Sequence, residues 1–395
     1  MPTEIPLLAG GAALAAGLVL VPLAAHLARR RGWVAVPRAD RWHRRPTALM
    51  GGLGIYAATV AGLGASGALA GELPLVGLLC GATVMMGLGA VDDRRSVMPR
   101  PKLLTELACT GLAFALEVRA LPGAPWWVGL PVTALWVVGL TNALNLLDNM
   151  DGLAGGAAAL GALALGGILL GQGDQGGAAF AFAVAGSTLA FLRENRHPAR
   201  VFMGDCGSLF LGYALAVLAL RAHGGAWAAG PVRATAIPLV LLCVPIADTT
   251  LVTVMRLWNG RPVSQGGRDH ASHRLVYLGL SEPAAVGVLH GACAAAGAAA
   301  WALAGLHPQA GAIAAAATVG VTLLLFIRLA RVDAYRRPAP PAPPPGPAPA
   351  DHRAPGTLAP AAGGRPPVRA PATVPELRVG LFRGRSAQAR HDGVG

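Results

Sequence analysis

Eight of the nine aspartates in the first 330 residues fall, by hydropathy, on one side of a membrane: Asp40, Asp92, Asp93, Asp148, Asp151, Asp205, Asp248 and Asp269. The ninth, Asp174, lies in a short loop on the other side. A carboxylate at the centre of a membrane helix costs roughly 2.5–3.5 kcal/mol on insertion scales. Acids gathered along one interface are therefore expected to act together, and a shared cation is the simplest reason.

Each acid sits in a segment with its own chemistry. Asp92-Asp93 close an apolar run and precede Arg94-Arg95. Adjacent carboxylates there can offer hard oxygens to Mg²⁺, or one can act as a base while a cation holds the other. A solvated helix end paired with arginines is the competing reading. Lys102 is either a point charge for a phosphate or an ordinary inner-side lysine. Asn142, Asn145, Asp148 and Asp151 recur every three residues, so a helix would stack them near one face, with Gly152 freeing the backbone at the turn. Such a stripe needs a ligand or polar partners on a neighbouring helix. Asp205 stands between Gly204 and Gly207 in Phe202–Ser208, at the start of a helix, a place for phosphate or for a simple N-cap. Pro245 can break its span and set Asp248 at a cavity rather than in lipid. Arg268, His270, His273 and Arg274 share one loop and suit a polyanion such as a diphosphate, or lipid headgroups. Zinc fits this loop poorly, since cysteine is absent and Asp269 is the nearby third ligand.

The elements that must position these groups are membrane helices. The 395-residue chain is 54% apolar and 13% charged, far below the roughly 25% charge of a soluble domain. Its net charge of +13 sits in loops between apolar spans and in the tail, so topology and anionic headgroups explain it and nucleic acid is not expected. Five scattered cysteines (Cys80, Cys109, Cys206, Cys243, Cys293) give neither a disulfide framework nor a zinc site. The hydropathy predicts an all-α polytopic membrane protein with about eleven spans, near 5–28, 48–70, 74–91, 102–119, 126–147, 152–171, 177–193, 207–222, 234–258, 283–304 and 308–329. The first lacks a basic segment before it and reads as a retained helix, not a cleaved signal. Eighteen basic residues in the proposed inner loops against three outside place the N-terminus out and the C-terminus in. Spans six and seven, weak and glycine-rich, are the least secure of the set. Residues 1–337 form the membrane domain, and 338–395, with fourteen prolines between 338 and 375, read as a disordered tail without a catalytic role.

Taken in order from residue 29 to 282, these segments resemble the polyprenyl-phosphate N-acetylhexosamine-1-phosphate transferases. That superfamily starts lipid-linked O-antigen, teichoic-acid and arabinogalactan-type polymers, and includes the peptidoglycan translocase that uses UDP-N-acetylmuramoyl-pentapeptide. The match comprises Asp40-Arg41-Trp42-His43-Arg44-Arg45-Pro46 with Gly51-Gly52, Asp92-Asp93 with Lys102, the Asn142–Gly152 cluster, Phe202–Ser208, Pro245–Asp248 and His270–Leu280. The resemblance implies transfer of a sugar 1-phosphate, GlcNAc-1-phosphate by preference, from a UDP-sugar to polyprenyl phosphate with release of UMP. The site would lie on the cytoplasmic face of a bacterial plasma membrane. It implies Mg²⁺ on Asp205 with Asn145 beside it, with Mn²⁺ an alternative. It places Phe202 on uracil, Asn145, Asp148 and Asp151 along the nucleotide pocket, Asp92-Asp93 at the lipid phosphate, and the loop of Arg268, His270, His273 and Arg274 at the diphosphate, with Asn142 and Lys102 as further substrate-binding candidates. A homodimer belongs to the same set of expectations.

Three positions depart from the family pattern. Ser272 stands where a third histidine is usual, and Asn149 where glycine is frequent. Glu106 likewise replaces a frequent glutamine. Eleven spans with an inward C-terminus fit the sugar-1-phosphate branch better than the ten-span pentapeptide translocase. A direct attack by lipid phosphate and a two-step route through an aspartyl-phosphate both remain open. Rival readings are a cation-coupled transporter, which would place its polar groups at the bilayer midplane, and an inactive scaffold-like relative.

Overall fold

The computed structural model describes residues 4–35, 46–70, 72–264, 266–305 and 308–335. Asp40 and the segment around it, residues 36–45, lie outside the described residues, as does the whole 338–395 tail. Helices make up most of the rest. In chain order the first are α1 (Glu4–Arg30), α2 (Gly51–Ser66), α3 (Leu73–Asp92), α4 (Pro99–Ala115) and α5 (Trp126–Leu147). Next come α6 (Leu153–Gly171), α7 (Gln175–Asn195), α8 (Gly204–Ala226), α9 (Pro231–Leu241) and α10 (Cys243–Trp258). The last are α11 (Ala271–Tyr277), α12 (Glu282–Ala304) and α13 (Pro308–Ala330). Among the described residues, two short strands, β1 (Val34–Ala35) and β2 (Thr47–Ala48), pair antiparallel, and Ala48 also bridges to Val201.

Each of the eleven predicted spans coincides with a helix or, for the ninth, a helix pair. Among the described residues eight helices are long and apolar enough to cross a membrane unaided, and α9 with α10, bent by 70° at their junction, form either a broken span or a re-entrant loop. Helices α2 and α4, at 16 and 17 residues, are shorter. The bend follows from proline: Pro245 donates no amide hydrogen, and its ring crowds the carbonyl four residues back, so the helix breaks at Leu242. The protein is thus an all-α, multi-pass membrane protein.

Helix α8 is the axis of the bundle. Its apolar window is 94% buried, against 22% for α1 and α13, whose exposed leucines, valines and isoleucines face outward. The glycine-rich α6 and α7 are 72% and 78% buried, so small residues there serve close helix packing rather than weak helix formation. At the site end, α3 lies so close to the start of α8 that a Cβ on Gly89 would collide with the backbone of Asp205. That contact brings the last turn of α3 onto the first turn of α8.

Candidate active site

Four helix ends meet around one ammonium group. Lys102, in the first turn of α4, donates from Nζ to Asp92 Oδ2 and Asp205 Oδ2, 3.1 Å each. Asp92 ends α3 and accepts the Val97 amide at 2.7 Å through its other oxygen. Asp205 opens α8, and its second oxygen accepts from Asn145 Nδ2 at 3.0 Å. Asn145, near the end of α5, also donates to Ser208 Oγ at 2.8 Å. The side chains stay reachable, at 14% exposure for Asp92, 17% for Lys102 and 35% for Asp205.

The two adjacent aspartates do different work. Asp93 turns back and accepts the amides of Asp205 (2.8 Å) and Cys206 (3.1 Å), so it caps α8 from a neighbouring helix. Burial pushes its carboxyl above the ordinary aspartate range, although both amide hydrogen bonds pull the other way. Asp92 is the member of the pair that faces the lysine.

The Asn142–Asp151 stripe is only half helical. Helix α5 ends at Leu147, Asp148 is its C-cap, and Gly152 takes a φ of +78°, so Asp148 and Asp151 lie on a turn rather than on the helix face. Asn142 donates to Glu106 at 2.9 Å and does not share the partners of Asn145. Asp151 pairs with the ring of His197 (3.2 Å) and accepts the Ala199 amide at 3.0 Å. Asn195 ties this turn to the next strand-like segment, accepting from the Gly152 amide at 3.0 Å and donating to the Val201 carbonyl at 2.9 Å. Phe202 is anchored by its backbone, with its amide on the Ala48 carbonyl and its carbonyl on the Gly51 amide, and its side chain is half-buried.

The histidine loop is a short helix, α11, fastened on several sides. Asp248, buried in α10, accepts from the Ala271 amide at 2.7 Å and pairs with His270 Nδ1 at 2.8 Å. His270 and His273 lie with ring centroids 5.8 Å apart. Burial pushes the His273 imidazole down to about 3, so it is neutral near pH 7 and offers hydrogen bonds rather than charge. Arg256 and Asp269 form a bidentate pair, 2.8 Å at both contacts, and each side chain is 3% exposed. Tyr335, past the end of α13, donates its hydroxyl to Asp269 at 2.9 Å and carries Arg261 over its ring at 4.4 Å. Burial alone would raise the Asp269 carboxyl, but Arg256 holds it below the ordinary range.

The predicted residues therefore fall into three groups. Asp92, Lys102, Asn145 and Asp205 converge directly. Asp148, Asp151 and Phe202 border them on the turn and on the segment before α8, while Arg268, His270 and His273 belong to the α11 loop. Arg274 departs from the expected diphosphate position. Fully buried, it donates to the Asp269 carbonyl (2.7 Å) and to the Leu329 (3.1 Å) and Val332 (2.6 Å) carbonyls, a cation on the C-terminal end of α13. The sequence reading passed over His197, Asn195 and the clasp of Arg256 with Tyr335. Glu106, noted only as a departure, has a visible signal, standing four residues after Lys102 on the same helical face. Among the described residues no group of three or more His, Cys, Asp or Glu side chains forms a ready metal cage. The oxygen pair of Asp92 and Asp205 around a single cationic group is nonetheless the donor chemistry that hard divalent ions take, with the remaining positions left to water or phosphate.

A membrane-embedded bundle that gathers acids and one lysine at converging helix ends is built to handle anionic groups at the edge of a bilayer. Comparison with known proteins gives that class a family. Residues 75–223 match glycosyl transferase family 4. The chain is 35% identical over 282 residues to a Bacillus subtilis protein named probable undecaprenyl-phosphate N-acetylglucosaminyl 1-phosphate transferase, covering 69% of this chain and 78% of that one. It is 30% identical to the Mycobacterium tuberculosis decaprenyl-phosphate N-acetylglucosaminephosphotransferase, covering 67% and 74% of the two chains. It is 33% identical to a Synechococcus phospho-N-acetylmuramoyl-pentapeptide-transferase, covering 59% and 66%. The chain belongs to glycosyl transferase family 4, and it is a phosphosugar transferase.

Proposed function

We propose that this protein transfers N-acetylglucosamine 1-phosphate from UDP-GlcNAc to a polyprenyl phosphate, giving polyprenyl-diphospho-GlcNAc and UMP. The reaction would take place at the cytoplasmic face of a bacterial plasma membrane and would open the assembly of a cell-envelope polysaccharide. The observation that carries this reading is the convergence of Asp92, Lys102 and Asp205 at helix ends, in a chain that shares 35% identity with a relative named for that transfer. Sidedness is supported by the charge split between loops and by Asp174, which caps α7 and pairs with Arg221 at the far end of α8.

In this reading an oxygen of the lipid phosphate forms a bond to the β-phosphorus of the nucleotide sugar. The bond from that phosphorus to the α–β bridging oxygen breaks, and the bridging oxygen leaves with UMP. Two anions must approach, so screening comes first. Lys102 is shared between Asp92 and Asp205 and offsets part of their charge, and it is free to turn to a phosphate once these acids have another partner. Asp92 orients the lipid phosphate or takes its proton, while Asp93 keeps the first turn of α8 in place. Mg²⁺, or Mn²⁺ with the same oxygen preference, would be held by Asp205 and Asp92 and would supply charge neutralisation on the diphosphate. Asn145 presents its amide nitrogen to Asp205 here, so serving as a metal ligand requires its amide to rotate. Arg268, His270 and neutral His273 face the departing nucleotide as charge and hydrogen-bond partners.

The test is a membrane assay with polyprenyl phosphate, Mg²⁺ and labelled UDP-GlcNAc, UDP-GalNAc or UDP-MurNAc-pentapeptide offered separately. UMP release and a labelled lipid product from UDP-GlcNAc are expected, and both should disappear with chelator. Exclusive turnover of the pentapeptide substrate would move the chain to the branch of the Synechococcus relative. Ion-driven uptake into sealed vesicles without UMP release would overturn the transferase reading itself.

A further inference from the structure

Two of the three positions at which the chain departs from the family pattern meet each other. Ser272 Oγ donates to Asn149 Oδ1 at 2.6 Å, and Ser272 is fully buried. The orientation of the amide is fixed from the other side, because Asn149 Nδ2 donates to the Leu146 carbonyl at 2.8 Å. Its oxygen must therefore face Ser272 and asks for a donor. A hydroxyl supplies one without adding charge.

What this bond joins gives it consequence. Asn149 lies inside the turn that carries Asp148 and Asp151, and Ser272 lies between His270 and His273 on α11. Further hydrogen bonds of α11 run to Asp248 on α10 and, through Arg274, to the carbonyls at the end of α13. Without the Ser272 bond, α11 would keep those anchors and lose this tie to the nucleotide-side turn.

We propose that Asn149 and Ser272 form a latch that sets the spacing between the Asp148–Gly152 turn and the histidine helix, and are positioning residues for the sugar nucleotide. The inference rests on the sugar-nucleotide reading above. It concerns only the donor substrate, because the Asp92–Lys102–Asp205 centre has no bond to either residue of the latch.

The experiment uses the full-length protein in lipid nanodiscs. Ser272→Ala and Asn149→Ala should each raise KM for UDP-GlcNAc about five- to tenfold, the scale of one buried neutral hydrogen bond. KM for polyprenyl phosphate should stay within about twofold, since only the donor side is loosened. The double variant should be no worse than Asn149→Ala, because Ser272→Ala removes only a bond that Asn149→Ala has already lost. Ser272→Thr, which keeps the hydroxyl, should hold KM near that of the parent. Hydrogen exchange provides a second readout without turnover: either alanine variant should speed exchange at 149–153 and at 271–275 together. Unchanged KM in Ser272→Ala, additive effects in the double variant, or an equal rise in both KM values would overturn the latch. A parent protein inert toward UDP-GlcNAc whose alanine variants still show coupled exchange would sink the substrate reading and leave the latch standing. Exchange that stays unchanged in both segments would sink the latch alone.

Discussion

The acid–lysine centre and the histidine loop both carry buried or half-buried charges, yet they are built on opposite principles. At the first, Lys102 divides itself between two carboxylates at 3.1 Å, and side-chain exposure runs from 14% to 35%. At the second, Arg256 and Asp269 are locked in a bidentate pair, each 3% exposed, and His270 and Asp248 are buried as well. A long, shared ion pair that water can reach costs little to rearrange. A short bidentate pair sealed from water is expensive to break, because either partner alone becomes an uncompensated charge. In the proposed reading the first region is where ligands exchange, and the second is the frame that holds one wall of the site still.

That contrast can be broken by substitution. Asp205→Asn should lower turnover about 10³-fold, the upper range for losing one preorganised electrostatic partner, while thermal unfolding in detergent stays near that of the parent. Full activity in this variant would remove Asp205 from the reaction. Arg256→Ala should do the reverse, destabilising the protein by about 3–5 kcal/mol by stranding Asp269, and a melting curve unchanged from the parent would refute the frame. Within the acidic pair, Asp92→Asn should slow turnover about 10²-fold with little effect on melting. Asp93→Ala should instead cost about 1–2 kcal/mol of stability as a lost cap. Equal behaviour of the two variants in both assays would erase the distinction drawn between them.

The smallest effect concerns pH. Asp269 has a folded-state value held below the ordinary carboxylate range by Arg256. Its contribution is complete above the unfolded value and is lost as pH falls through the lower folded one. The clasp should thus hold at neutral pH and loosen only below about pH 4. Melting temperature measured against pH should show this acid limb in the parent and a flatter one in Asp269→Asn.

Much of this arrangement was legible from residue types. Apolar runs and loop arginines located the spans because lipid imposes a length and a charge rule that few other environments impose. The proline at 245 announced the break before Asp248. What the sequence could not convey was which polar group each acid would choose. Asp92 and Asp93 are chemically identical neighbours, and only the approach of α3 to α8 at Gly89 assigns one to the lysine and the other to backbone amides. The three-residue spacing from Asn142 to Asp151 suggested a continuous stripe, but the helix ended at Leu147 and divided it. Arg274 looked like a ligand because arginines in a polar loop usually are reachable. Its partners are carbonyls of the last span, far away in sequence, and no local pattern marks them.

The anchoring of the histidine helix to the end of α13 also sets an order of events during synthesis. Everything that holds Asp92, Lys102, Asn145 and Asp205 together has left the ribosome by the time α8 is complete. The carbonyls of Leu329 and Val332 and the hydroxyl of Tyr335, which seat Arg274 and Asp269, follow about a hundred residues later. A nascent chain therefore owns its charged centre long before it owns a firm histidine wall. Truncation before Leu329 should leave a bundle that carries the acids but lacks these anchors of its histidine helix.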